Sequence, residues 1–313
     1  MAISAALDAR LDAYAQLVIR AGCNLQEGQE LFLSCDIACA DFARKLMRAA
    51  YEAGASDVTL RWSDELCTRM GYEYKPLEMF ERFPDWMALL QNGVAKRGAA
   101  LLFVTSEDPQ ALDGIDPRKM VAWRKASNLA CPDWRNGMDF GRNVWCICGA
   151  ASPAWAARVF PQLPVDQAVE RLWEAILHTV RVDGPDATAA IAAWEAHRAS
   201  FVARRAWLNG MGLDSLHYRN SLGTDFTVGL LPGGIWQGGG AEIVTGREFF
   251  PNMPTEEVFS SPDRNRADGL VVASMPLNHN GALVRNFWIR FEAGRVVDFD
   301  AAMGRDEIGR AHV

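Results

Sequence analysis

Histidine, basic charge and long apolar stretches are what this sequence has least of, and each shortage excludes something. Five histidines in 313 residues leave little material for a histidine-rich metal centre. No two of them stand four apart, and no His-Glu-x-x-His occurs. No apolar run approaches the ~20 residues that span a bilayer. The first ten residues carry Asp8 and Arg10 inside an amphipathic pattern, unlike the basic and apolar regions of a signal peptide. The formal charge is −7 and there is no basic run, so nucleic acid is not an expected partner. Seven cysteines is an odd number in a chain with ample core, which argues against a disulfide framework. Cys35 and Cys39, or Cys146 and Cys148, have no matching downstream pair for zinc, so buried reduced thiols are expected. A Gly-x-Ser-x-Gly elbow is missing. The glycine-rich stretch Gly229 to Gly240 runs between strands and lacks Gly-Lys-Ser/Thr, so it is read as turns. A soluble, cytoplasmic protein is the expectation, with roughly 150 residues per domain suggesting two domains.

Half the residues are hydrophobic, and their spacing changes along the chain. Leu7, Leu11, Tyr14 and Val18 make one face of a helix. Strand-like runs at Glu30–Ser34, Ser56–Trp62, Ala99–Thr105 and Asn143–Cys148 alternate with helix-like ones at Ala38–Ala53, Asp85–Arg97 and Arg118–Ala130. The continuous apolar run at Ala99–Thr105 is the type buried on both faces of a parallel sheet. This alternation predicts βαβ units in a doubly wound α/β domain. A helical stripe from Val165 to Val180 and a helix over Asp186–Leu208 follow. After Met211 the period falls to two at Gly223–Leu230, Gly269–Ser274 and Ala282–Glu292, punctuated by Gly233-Gly234 and Asn280-Gly281. The predicted organisation is therefore an α/β domain over 1–208 and a mainly antiparallel, incomplete α+β domain over 209–313. His178 and His197 are placed in helices, His217 in a short strand and His279 in a turn, each as a surface or satisfied core residue. The final β run, Ala282 to Phe299, is expected to end without a following helix and to leave an open edge.

One cluster carries chemistry. Pro251-Asn-Met-Pro-Thr-Glu-Glu-Val-Phe-Ser-Ser-Pro262 sets two adjacent carboxylates, Glu256 and Glu257, between prolines that stiffen the backbone. Adjacent carboxylates in a rigid loop repel, and a divalent cation would relieve that repulsion. The competing reading is a surface loop opening a helix at Thr255, where acidic residues favour the N-terminus.

The same segment resembles the signature of the aminopeptidase T family, bacterial metalloaminopeptidases with cocatalytic metals. Gly22-Cys-Asn-Leu-Gln-Glu-Gly-Gln29, Trp194-Glu-Ala-His197, Gly223–Leu230 and Trp236-Gln-Gly-Gly239 match in the same order. The resemblance implies that Glu257 is a metal ligand and that Glu256 has a supporting or weaker auxiliary role. It also implies two divalent ions, zinc or cobalt, a peptide substrate and a homodimer. Water activated by the metals would attack the first peptide carbonyl while one ion holds the free α-amino group.

In the family a further glutamate, two histidines and an aspartate complete the site beyond this segment, with a tyrosine assisting. Here Phe291–Val297 still fits the family, but only sixteen residues follow it, and His312 is the one histidine among them, outside any family-like context, so the remaining catalytic residues are unknown. Ile308-Gly-Arg-Ala-His-Val313 is the translation of ATC GGA AGA GCA CAC GTC, which resembles a sequencing-library adapter. The expectation is a chain truncated near residue 306 and, as written, inactive; a genuine short homologue stays open. So do a related non-haem iron ring-cleaving dioxygenase and a non-catalytic binding or dimerisation fragment.

Overall fold

The computed structural model describes residues 3–279 and 282–310. The expected turn at Asn280-Gly281 and the terminal residues through His312 and Val313 lie outside the described residues. The chain forms two compact units that are not sequential. The first comprises Met1–Ala111, Asp116–Ala199 and Gly239–Glu256; the second comprises Leu112–Ile115, Ser200–Gly238 and Glu257–Val313. The 209–313 half, expected as one domain, thus contributes residues 239–256 to the first unit.

The first unit follows the predicted alternation. Helix α1 (Ala5–Leu17) leads to β1 (Glu30–Asp36), α2 (Ala40–Glu52) and β2 (Asp57–Ser63). Helices α3 (Glu65–Tyr74) and α4 (Asp85–Lys96) precede β3 (Ala100–Thr105). Then come α5 (Pro117–Ala130), α6 (Pro132–Asp139), β4 (Trp145–Gly149), α7 (Pro153–Val159) and α8 (Val165–Thr179), and α9 (Ala187–Met211) starts in this unit and ends in the second. Strands β1 to β4 pair in parallel in the order β4-β3-β1-β2.

Period-two alternation sends successive residues of each strand to opposite faces, so a strand buried on both must be apolar throughout. On one face Leu31, Leu33 and Cys35 of β1 join the large core with Leu7, Leu11 and Tyr14 of α1, Phe42 and Leu46 of α2, and Leu172 and Trp173 of α8. On the other, Phe32 and Leu101 pack with Val94, Leu90, Trp134 and Met138 from α4 and α6. Polar anchors fix the joints. Tyr14 donates its hydroxyl hydrogen to Gly149 O at 3.2 Å, and Asn143 Nδ2 donates to Ala95 O and Ala99 O at 3.1 and 2.9 Å.

Between the two stretches of the second unit, hairpin strands β8 (Ala241–Glu242) and β9 (Glu248–Phe249) and strand β10 (Asn252–Met253) belong to the first unit. The last of these adds a fifth parallel strand beside β4, with Asn252 opposite Ile147 and Met253 opposite Cys148. The sequence reading made this stretch an irregular loop, because two residues are too short to show a period. What holds it is burial of Met253, 2% exposed, worth about 1.5–3 kcal/mol for a side chain of that size.

The second unit holds β5 (Ser215–Arg219), β6 (Asp225–Leu230), β7 (Gln237–Gly238), β11 (Val258–Phe259), β12 (Pro262–Val272), β13 (Leu277–His279), β14 (Ala282–Glu292) and β15 (Arg295–Met303). Its main sheet runs β13-β14-β12-β6-β5, with β15 also on β14, all antiparallel. Across it Tyr218 stacks on Phe226 and Phe226 meets Phe291 at a tilt, with ring centroids 6.4 and 5.4 Å apart. The architecture is the expected one, a parallel α/β sheet followed by a mostly antiparallel sheet. Two local readings need correction. His279 pairs with Ala282 in β13 instead of occupying a turn, because its neighbours Leu277 and Asn278 find cross-strand partners. A short helix, α10 (Arg305–Arg310), does follow the final β run; Gly304, at φ +75°, lets the chain turn into it.

The thiols are free, and six of the seven cysteines are buried. Burial pushes the Cys35 thiol up to about 12 and the Cys39 thiol up to about 11. Cys67 is the exposed one. No helix among the described residues is long and apolar enough to cross a membrane.

Candidate functional site

The segment with the two glutamates does not open a helix. It runs from β10 through the cis Met253–Pro254 bond and an irregular stretch to β11. Its two carboxylates have different surroundings, and they fall in different units, Glu256 closing the first and Glu257 opening the last stretch of the second.

Glu256 is engaged. Its Oε1 accepts from Arg181 Nη2 at 2.6 Å, and its Oε2 lies 3.3 Å from His197 Nε2. The same His197 nitrogen is 3.0 Å from Thr255 O. The histidine side chain is 11% exposed and the glutamate 57%. This ion pair is half in solvent, so its contribution to stability is modest. Beneath it the packing is dense. Trp194 is fully buried and donates Nε1–H to Val180 O at 2.8 Å. Its ring meets Phe250 at 5.1 Å, His197 at 5.5 Å and the Arg181 guanidinium at 5.2 Å. Arg198 spans Glu195 and Glu248 and lies over Phe250. Two of the matched motifs, Trp194–His197 and Pro254–Phe259, therefore meet in space, brought together by α9 and the chain running out of β10.

Glu257 is exposed, and no hydrogen bond or ion pair engages its side chain among the described residues. A third motif meets its backbone. Gly238 of Trp236-Gln-Gly-Gly239 stands opposite Val258 in the β7–β11 pair at φ +138°. A Cβ on Gly238 would overlap the Glu257 carbonyl oxygen and lie 2.8 Å from Val258 Cα. Only glycine permits that approach.

A cavity of about 260 Å³ opens in the first unit at the C-terminal ends of β3, β4 and β10, where open α/β sheets usually take ligands. Thr105, Gly149, Trp155, Asn252 and Pro254 are among its walls, and no charged side chain lines it. Its lining includes no group of three His, Cys, Asp or Glu side chains that could hold a cation.

The metal question is decided by donor count. Among the described residues, no group of three or more His, Cys, Asp or Glu side chains is placed to hold a metal ion. Glu257 offers one carboxylate and Glu256 is bound to a guanidinium. A metal pair needs several oxygen and nitrogen donors around each ion, so the described residues do not fit it. Sequence reasoning missed Arg181. Its signal was faint: a lone arginine just beyond an apolar helical stripe.

A sequence model of the thermophilic metalloprotease (M29) family matches residues 7–311. The chain is 42% identical over 299 residues to aminopeptidase T of Thermus aquaticus, covering 95% of this chain and 72% of that protein. It is 38% identical over 299 residues to aminopeptidase AmpS of Bacillus subtilis, with the same coverage, 95% and 72%. Wild-type AmpT from Thermus thermophilus, a solved structure, superposes with a TM-score of 0.88 at 38% identity, over 97% of this chain and 74% of that one.

Proposed function

The chain belongs to the thermophilic metalloprotease (M29) family, and from that premise we propose that it derives from a metal-dependent aminopeptidase that removes N-terminal residues from peptides. The observation that carries this is the likeness to aminopeptidases over 95% of this chain and 72% of those proteins, together with Glu257, a carboxylate exposed and unengaged among the described residues, at the position the family resemblance makes a metal ligand. Zinc or cobalt, a peptide substrate, a homodimer and a cytoplasmic location are parts of the same proposal. Glu256 takes the supporting role, held by Arg181 and His197. The likeness to aminopeptidases favours this reading over a ring-cleaving dioxygenase.

For these 313 residues alone we propose weak metal binding and no turnover, because one free carboxylate cannot hold a metal pair. The test is Co²⁺ or Zn²⁺ binding by calorimetry with a leucyl amide assay alongside. The expected result is sub-stoichiometric metal that Glu257→Gln lowers and Glu256→Gln spares, with no leucine released. Binding indifferent to Glu257→Gln removes Glu257 as a ligand. Stoichiometric metal with turnover shows that a complete site forms from these residues.

A further inference from the structure

Arg181 occupies a backbone position that rarely suits it. It follows α8 at φ +60°, in the left-handed region that glycine and asparagine usually fill. The turn around it is a helix stop in which Arg181 N donates to His178 O and Val182 N donates to Leu177 O. A glycine would make that turn with less strain, so the reason for an arginine is sought in its side chain.

The guanidinium lies over the Trp194 ring and donates to Glu256 Oε1. Its Nη2 is also 3.3 Å from His197 Nδ1 and 3.5 Å from Nε2. A carbonyl only accepts and a guanidinium only donates, so the nitrogen that reaches the Thr255 carbonyl must carry hydrogen and the other is left to accept from Arg181. That nitrogen is Nε2, which has two acceptors in reach, Thr255 O at 3.0 Å and Glu256 Oε2 at 3.3 Å. Of the two neutral tautomers, the one with hydrogen on Nε2 serves the Thr255 carbonyl and the Glu256 carboxylate and leaves Nδ1 to accept from the guanidinium. Arginine, histidine, the Thr255 carbonyl and the Glu256 carboxylate thus form one connected set, every member of it in the first unit.

We propose that Arg181 is a positioning residue: it fixes His197 in the Nε2–H tautomer and, with it, pins Thr255 and Glu256 against the turn after α8, so that of two adjacent glutamates one is committed to the protein and the other is left unengaged. The two carboxylates are neighbours in the chain; the clamp engages only Glu256. Its functional meaning rests on the proposed role of Glu257. The clamp itself is read without metal or substrate, so the two can fail separately.

The test variant is Arg181→Gly, which keeps the left-handed turn and removes the guanidinium. Two measurements follow: the ring ¹⁵N pattern of His197 by long-range proton–nitrogen correlation, assigned by its loss in His197→Gln, and amide hydrogen exchange across residues 250–257. The unaltered protein should show the Nε2–H pattern. Arg181→Gly should shift it toward a tautomer average and speed exchange in 250–257 about tenfold while α8 is unchanged, since local opening is governed by local contacts. Arg181→Lys keeps the charge without the planar fork and should recover only part of the protection. Glu256→Gln, which leaves the turn untouched, should loosen the same segment, giving a second route should Arg181→Gly fold poorly. A His197 pattern and an exchange rate in 250–257 unmoved by Arg181→Gly, or exchange unmoved by Glu256→Gln, overturn the proposal.

Discussion

Replacing Gly238 by alanine isolates the contact that seats the backbone of Glu257. The added methyl carbon would overlap the Glu257 carbonyl oxygen and stand 2.8 Å from Val258 Cα, against the ~3.5–4.0 Å at which carbon atoms attract. Either β7 withdraws from β11 by about 1 Å, breaking their pairing, or the backbone holds and the strain stays. An L-residue at φ +138° adds a further cost of about 1–3 kcal/mol. With about 1–3 kcal/mol for overpacking, the expected loss in the second unit is about 2–6 kcal/mol. Urea titration followed by hydrogen exchange over residues 236–259 measures it, with loosening expected on both strands. The control is Gly71→Ala, inside α3 with only the end of the Lys75 side chain near, its Nζ 3.7 Å away, which should stabilise by about 0.5–1 kcal/mol. A Gly238→Ala loss below about 1 kcal/mol with unchanged exchange would falsify the close-approach argument.

Two more outcomes follow from the first unit. Trp194→Phe leaves Val180 O without its 2.8 Å donor and shrinks a fully buried ring; the expected cost is about 2–4 kcal/mol, and a change under about 1 kcal/mol in chemical denaturation would refute the packing role. In thiol titration at pH 8, Cys67 alone should react quickly in the folded chain, while burial shields the other six and holds Cys35 and Cys39 protonated. More than one fast thiol would contradict the burial pattern.

Much of the first unit was legible because its signals are local. Glu30–Ser34 and Ala99–Thr105 show strand chemistry without their neighbours, and the helix-period apolar residues of α1 and α8 face one core. The two-residue strand β10 was not legible, since its pairing with β4 is made with residues about a hundred positions away. Arg181 was invisible for a similar reason: its importance lies in reaching Trp194, His197 and Glu256 at once. The helix-start reading of Thr255 failed because β10 and β11 hold the segment extended on either side.

The sequence by itself determined the α/β alternation, the change to antiparallel strands, the motif order and the presence of two adjacent glutamates in a proline-stiffened stretch. Periodicity and turn chemistry act over a few residues and can be read in one dimension. Only the tertiary structure decided that Glu256 is bound to Arg181 and His197 while Glu257 stands unengaged among the described residues, and that residues 239–256 return to the first unit. Those outcomes depend on which distant groups arrive within hydrogen-bonding or van der Waals range, and identical neighbours in sequence can meet different partners in space.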